Sequence, residues 1–121
     1  MSIEIAGQNL AIEADEQLLR QALFNLLLNA VQAGEASGRI EIAAERISPS
    51  EARLEVRDNG PGVPPENRAE IFKPYFTTQK QGTGLGLAVV QQIVLAHGWE
   101  IECLPNSPRG AIFRITHVKV V

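Results

Sequence analysis

The chain has 121 residues, 45% hydrophobic and 21% charged, which is ordinary for a globular protein and leaves room for one domain with one core. A formal charge of −3, with eleven scattered Lys and Arg, leaves no basic surplus to neutralise a nucleic-acid backbone. The single cysteine, Cys103, excludes a disulfide framework and a Cys-based metal cage, and no apolar run approaches the roughly 20 residues that span a bilayer.

The start, Met1-Ser2-Ile3-Glu4, has no basic residue and no apolar stretch, so no signal peptide is expected; the expected setting is the cytoplasm, without direct membrane contact. Ile3-Glu4-Ile5 and Leu10-Ala11-Ile12-Glu13 alternate around Gly7-Gln8-Asn9, a pattern that predicts a hairpin. Asp15 is a candidate N-cap for a helix running to about Ala33, with Leu18, Leu19, Ala22, Leu23, Leu26, Leu27 and Ala30 at helical spacing. Gly34 to Gly38 ends that helix. Residues Ile40 to Ile47 and Ala52 to Asp58 read as strands around Ser48-Pro49-Ser50. Asn59-Gly60-Pro61-Gly62-Val63-Pro64-Pro65 is a rigid turn before a short helix near Arg68 to Phe72, and Lys73 to Thr83 is a loop. A second helix spans Leu85 to His97. Strands at Trp99 to Leu104 and Ala111 to Val121 close the chain around a Pro- and Gly-rich turn. The mixed order predicts a two-layer α/β sandwich, one sheet covered on one face by helices.

Three features carry chemistry. From Ala22 to Val31 every residue is apolar except Asn25 and Asn29, which with Gln21 and Gln32 form one polar stripe. A helix that is apolar nearly all round should be mostly buried, and its amides must find partners, either in neighbouring strands or in a ligand. An amide oxygen suits a hard cation such as Mg²⁺, which keeps several waters and takes other oxygens from phosphates. Strand alternation puts Asp58 on the apolar side with Leu54 and Val56, opposite Glu55 and Arg57. A carboxylate there needs a donor: either the backbone of its own Asp-Asn-Gly turn, or a ligand donor such as the exocyclic amine of adenine. The third feature is Gly82-Thr83-Gly84-Leu85-Gly86-Leu87 at the opening of the second helix. Glycines there let amides approach an anion where the helix dipole favours one. Leu87 occupies the position where a dinucleotide fingerprint needs glycine, and a Walker Gly-Lys-Ser/Thr is absent. Cys103 reads as a small core residue, His97 as a helix C-terminal residue, and His117 as a strand residue without a visible partner.

These elements, in this order, resemble the catalytic domain of sensor histidine kinases, within the wider ATPase superfamily that includes gyrase, the Hsp90 chaperones and MutL. Gln21 to Ala30 looks like the N box, Asp58-Asn59-Gly60-Pro61-Gly62 like the G1 box, Ile71 to Thr78 like the F box, and Gly82 to Leu87 like the G2 box. Gly110-Ala111-Ile112-Phe113 resembles the closing strand. The resemblance covers nearly the whole chain and is nearest the nitrogen-regulation type. It implies an α+β, Bergerat-type fold with a mixed, largely antiparallel sheet, over a single domain of residues 1–121.

It also implies an ATP site. Asn29 would hold Mg²⁺ with Asn25 beside it, Asp58 would accept from the adenine amine, and Gly60 and Gly62 would fit the turn around the base. Phe72 and Phe76 would anchor a lid carrying Thr78 and Lys80. Gly82, Thr83, Gly84, Leu85, Gly86 and Leu87 would surround the phosphates. The implied reaction is transfer of the γ-phosphoryl to a histidine on a separate dimerisation domain, with a response regulator downstream of a parent that is free to be membrane-anchored. The phosphoacceptor helix is missing, so the chain reads as a domain excised from a larger sensor. Where hydrolytic relatives carry a Glu base, this chain has Asn25, and an amide cannot take a proton. A stand-alone hydrolase and a non-catalytic nucleotide-binding module are the alternatives. Gln79 stands where a lid lysine is common, with Lys80 adjacent, and Trp99 replaces a common glycine, which puts the turn after His97 in doubt.

Overall fold

A computed structural model describes residues 2–7, 10–33, 38–74 and 85–121. Helix α1 spans Glu16–Ala33, and Asp15 caps it as the sequence predicts: its Oδ1 accepts from Leu18 N at 3.0 Å. Strands β1 (Ser2–Gly7), β2 (Arg39–Ser48), β3 (Glu51–Asp58), β4 (Glu100–Pro105) and β5 (Ala111–Lys119) form one sheet in the order β1-β2-β3-β5-β4. All neighbours are antiparallel except β1 and β2. Two 3-10 turns, Pro65–Asn67 and Glu70–Phe72, replace the predicted short helix. Helix α2 runs Gly86–Ala96.

The predicted hairpin does not form. Residues 2–7 lie parallel to β2, with Ile3 opposite Ile40, and Ile12 instead bridges Val120 near the end of the chain. Alternation with period two identifies a strand but carries no information about its partner. Here α1 is the crossover that a parallel pair requires, and it occupies the sequence between β1 and β2.

The core lies between the helices and one face of the sheet. From α1 it takes Ala22, Leu26 and Ala30, which recur every four residues; from α2 it takes Val90, Ile93 and Val94. Val56, Phe113 and Cys103 stand side by side across β3, β5 and β4 beneath them. Each large side chain fully buried in this way, such as Leu26, Val90 or Phe113, is worth roughly 1.5–3 kcal/mol. Helix α1 is less buried than its composition predicts. Phe24 (62% exposed), Leu28 and Val31 form an outward stripe, because a helix lying on one sheet can bury only one side.

The turn after α2 keeps its form despite Trp99. Gly98 takes φ +74°, Gly98 N donates to Leu95 O at 3.1 Å and Trp99 N to Val94 O at 2.9 Å, a Schellman ending. Trp99 itself is buried with Val94, so the large side chain supplies the apolar contact that often accompanies this motif.

Candidate functional site

Asp58 ends β3 on the helix-facing side, opposite Ile40, and is only 5% exposed. Its Oδ1 accepts from Gly60 N at 2.9 Å and from Ala111 N at 3.3 Å. The first bond is the turn cap read as one alternative from the sequence. The second comes from β5, 53 residues away, and fixes the carboxylate from the other side. Both bonds use Oδ1; among the described residues Oδ2 accepts none, so it retains capacity for a further donor.

The turn after Asp58 is held tightly. Asn59 Oδ1 accepts from Arg39 N at 2.7 Å, Asn106 Nδ2 donates to Asp58 O at 2.8 Å, and Arg109 Nε donates to Gly60 O at 2.9 Å. Gly62 lies at φ +79°, against the backbone of Gly110. Gly110 lies at φ +111°, and a methyl group placed on it would sit 1.9 Å from the Asp58 carbonyl oxygen. Thus the β4–β5 turn clamps the segment that presents Asp58. The clamp residues Asn106, Arg109 and Ala111 were not singled out in the sequence as parts of the site, because nothing local links them to a turn some fifty positions earlier.

Asn25 and Asn29 lie half-buried on the flank of α1, between the buried stripe and the outward one. Bonds to neighbouring strands, the structural alternative for these amides, are not made: neither side chain bonds another described residue. Gln21 and Gln32 are exposed.

Phe72, half-buried, packs edge-on against Phe113, with ring centres 6.1 Å apart at 89°, which ties the end of the second 3-10 turn to the core. Leu85 is the N-cap of α2 and offers no side-chain oxygen to the first-turn N–H groups. Gly86 is exposed, and among the described residues nothing lies within 4 Å of where its Cβ would be. Leu87 is half-buried against the core. The predicted residues Phe76, Thr78, Lys80, Gly82, Thr83 and Gly84 lie outside the described residues.

A cavity of about 480 Å³ opens at the same end of the sheet, between Asp58, Asn59 and Arg109 and the open-face residues Arg39, Glu41 and Arg57. No residue of α1 or α2 lines it, so it is not the space beside the Asn-bearing helix. Arg57 is already bonded to Glu41 and Glu55, and Arg109 to Gly60 O.

Among the described residues, no group of three or more His, Cys, Asp or Glu could hold a metal ion. A cation here would need a ligand's own oxygens beside a neutral protein donor. The Asn29 amide, half-buried and without a partner among the described residues, fits that requirement for magnesium. Cys103 is not a candidate nucleophile, since burial pushes its thiol up to about 11. No described helix is long and apolar enough to cross a membrane.

A family model described as histidine kinase-, DNA gyrase B-, and HSP90-like ATPase matches residues 14–120. The signal transduction histidine-protein kinase AtoS of Escherichia coli (strain K12) is 41% identical over 112 residues, which is 93% of this chain and 18% of AtoS. The chain thus spans about a fifth of the length of that curated relative. Among solved structures, a mycobacterial sensor histidine kinase, MprB, matches with TM-score 0.89 at 31% identity, over 98% of this chain and 81% of that one. Full-length ShkA, solved in complex with AMPPNP, matches with TM-score 0.81 at 37% identity, over 98% of this chain and 26% of that one.

Proposed function

Because this chain belongs to the histidine kinase-, DNA gyrase B-, and HSP90-like ATPase family, we propose that it is the ATP-binding catalytic domain of a two-component sensor histidine kinase. It holds Mg·ATP and presents the γ-phosphoryl to a histidine on the dimerisation domain of its parent, from which a response regulator is phosphorylated. The observation that carries this reading is the Asp58 carboxylate, buried at 5% exposure and pinned through one oxygen by Gly60 N and Ala111 N. The AMPPNP bound to ShkA supports the choice of an adenine nucleotide.

Each residue has a role that its surroundings permit. Oδ2 of Asp58 accepts from the adenine amine, and the rigid Asn59–Gly62 turn forms the wall beside the base. Asn25 and Asn29 face the phosphates with amides that no described residue occupies. Magnesium, when bound, neutralises phosphate charge, and Asn29 would hold it together with phosphate oxygens. The first-turn amides of α2, at Leu85, Gly86 and Leu87, meet the β- and γ-phosphates, with Gly82, Thr83 and Gly84 completing the loop and Thr78 and Lys80 carried on the lid. Phe72 anchors that lid to Phe113.

With an amide at position 25, no side chain there can take a proton from water, so the domain positions phosphates and leaves the acceptor's activation to its partner. By itself it binds nucleotide and turns over only when the phosphoacceptor domain is supplied.

The direct test of the pocket is Asp58→Asn. Loss of a charge-assisted hydrogen bond should weaken Mg·ATP binding by about ten- to a hundredfold, equivalent to about 1.5–3 kcal/mol. Affinity equal to wild type in calorimetry would remove the adenine contact. For the reaction, γ-labelled ATP should label a phosphoacceptor domain from the same parent, and Asn29→Ala should abolish labelling. Rapid steady-state hydrolysis by the chain alone would instead identify a self-contained ATPase, and nucleotide binding without labelling would identify a non-catalytic module.

A further inference from the structure

We propose that His97 is a positioning residue, a two-ended tie that sets the axial register of α1 against α2 and so aligns Asn25 with the start of the glycine-rich helix; this rests on the nucleotide site proposed above. His97 is the C-cap of α2, and its two ring nitrogens reach different elements. Nε2 lies 3.0 Å from the backbone N of Asp15, 82 residues earlier, and Nδ1 lies 2.8 Å from the carbonyl oxygen of Ile93. A backbone N–H can only donate, so Nε2 carries the lone pair. The ring is therefore neutral with its proton on Nδ1, which donates to Ile93 O. The ring also stacks on Trp99, 4.2 Å away and 22° from parallel. Trp99 is itself 4% exposed and fixed by its own N–H to Val94 O. The ring is thus held from three sides.

The far end of the tie matters because Asp15 is the N-cap of α1. Two packed helices joined at the N-terminus of one and the C-terminus of the other run in opposite directions. At 1.5 Å per residue, Asn25 lies about 15 Å along α1 from Asp15, and Gly86 about 16 Å along α2 from His97. The tie therefore places Asn25 level with the N-terminus of α2. A slip of one helix against the other would separate the amide from the phosphate-facing N–H groups without unfolding the core.

The test compares His97→Phe, which keeps a ring over Trp99 but loses both hydrogen bonds, with His97→Gln, whose Oε1 can still accept from Asp15 N. Melting temperature and Mg·AMPPNP affinity are measured on each. The phenylalanine variant should fold and bind about tenfold more weakly, and glutamine should recover affinity to within about threefold of wild type. Phenylalanine binding as tightly as wild type overturns the proposal. Should that variant fail to fold, glutamine decides: near-wild-type affinity supports the tie and a tenfold loss overturns it. ¹⁵N NMR of the wild-type imidazole gives a readout independent of ligand. A proton on Nδ1, with Nε2 bare and a slowly exchanging Asp15 amide, is expected, and a protonated Nε2 overturns the assignment. If wild type binds no nucleotide, the nucleotide-site reading fails at that control, while the tie is still judged by the tautomer and the Asp15 amide.

Discussion

Glu55 lies on the open face of the sheet, yet only 3% of its side chain is exposed, because Arg57 from its own strand and Arg114 from β5 close over it. Arg57 also bonds Glu41, and Arg114 reaches Glu102, so one network crosses four strands. Burial alone would raise the Glu55 carboxyl, but hydrogen bonds from Arg114 and Arg57 outweigh it and hold it below the ordinary carboxylate value. The sign follows: a carboxyl lowered in the folded state stabilises the fold above its unfolded value and loses that contribution as pH falls through the folded one. Glu55→Gln should therefore lose about 2 kcal/mol at pH 7, at the lower part of the range for charged hydrogen bonds because both arginines keep some exposure. The gap from wild type, measured by urea unfolding, should narrow as pH falls below the ordinary carboxylate range; a gap that stays unchanged through acid titration would contradict this account. Alternation placed Glu55 on the correct face, but one of the two arginines that bury it comes from a strand 59 residues later.

At the scale of elements, α2 shows a local choice that packing does not explain. Gly86 opens the helix with a negative φ and with nothing among the described residues within 4 Å of a Cβ. Alanine would suit the helix better, by up to ~1 kcal/mol in an interior and less in a first turn. If the glycine exists so that phosphate can approach the backbone, Gly86→Ala should leave the melting temperature equal or higher while weakening Mg·ATP several-fold. A variant that gains stability and keeps full affinity would show that this glycine serves no ligand. By contrast, Gly110 is required by the fold itself, since any side chain there meets the Asp58 carbonyl. The two glycines look alike in the sequence, and only their surroundings separate them.

At the scale of the whole molecule, the proposed site is assembled from both layers: Asp58 from the sheet, Asn25 and Asn29 from one helix, and the amides of a second helix. A ligand gripping both layers should stabilise the whole fold. At a hundred times its dissociation constant, Mg·ATP should add about 2.7 kcal/mol and raise the melting midpoint by roughly 10 °C. Asp58→Ala should remove most of that rise. A midpoint insensitive to nucleotide would place any binding outside the layered pocket.

What the sequence determined by itself was local: the Asp15 cap, both long helices, all five sheet strands within two residues of their observed bounds, and the polar stripe of Asn25 and Asn29. Each depends on hydrophobic period, turn chemistry or capping, which are encoded within a few residues. The partner of β1, the exposure of Phe24 and Leu28, the burial of Glu55, and the clamping of Asp58 by Ala111, Asn106 and Arg109 were decided only by tertiary structure. Those properties depend on which distant segment arrives alongside, and a single chain read residue by residue holds no local record of its neighbours in space.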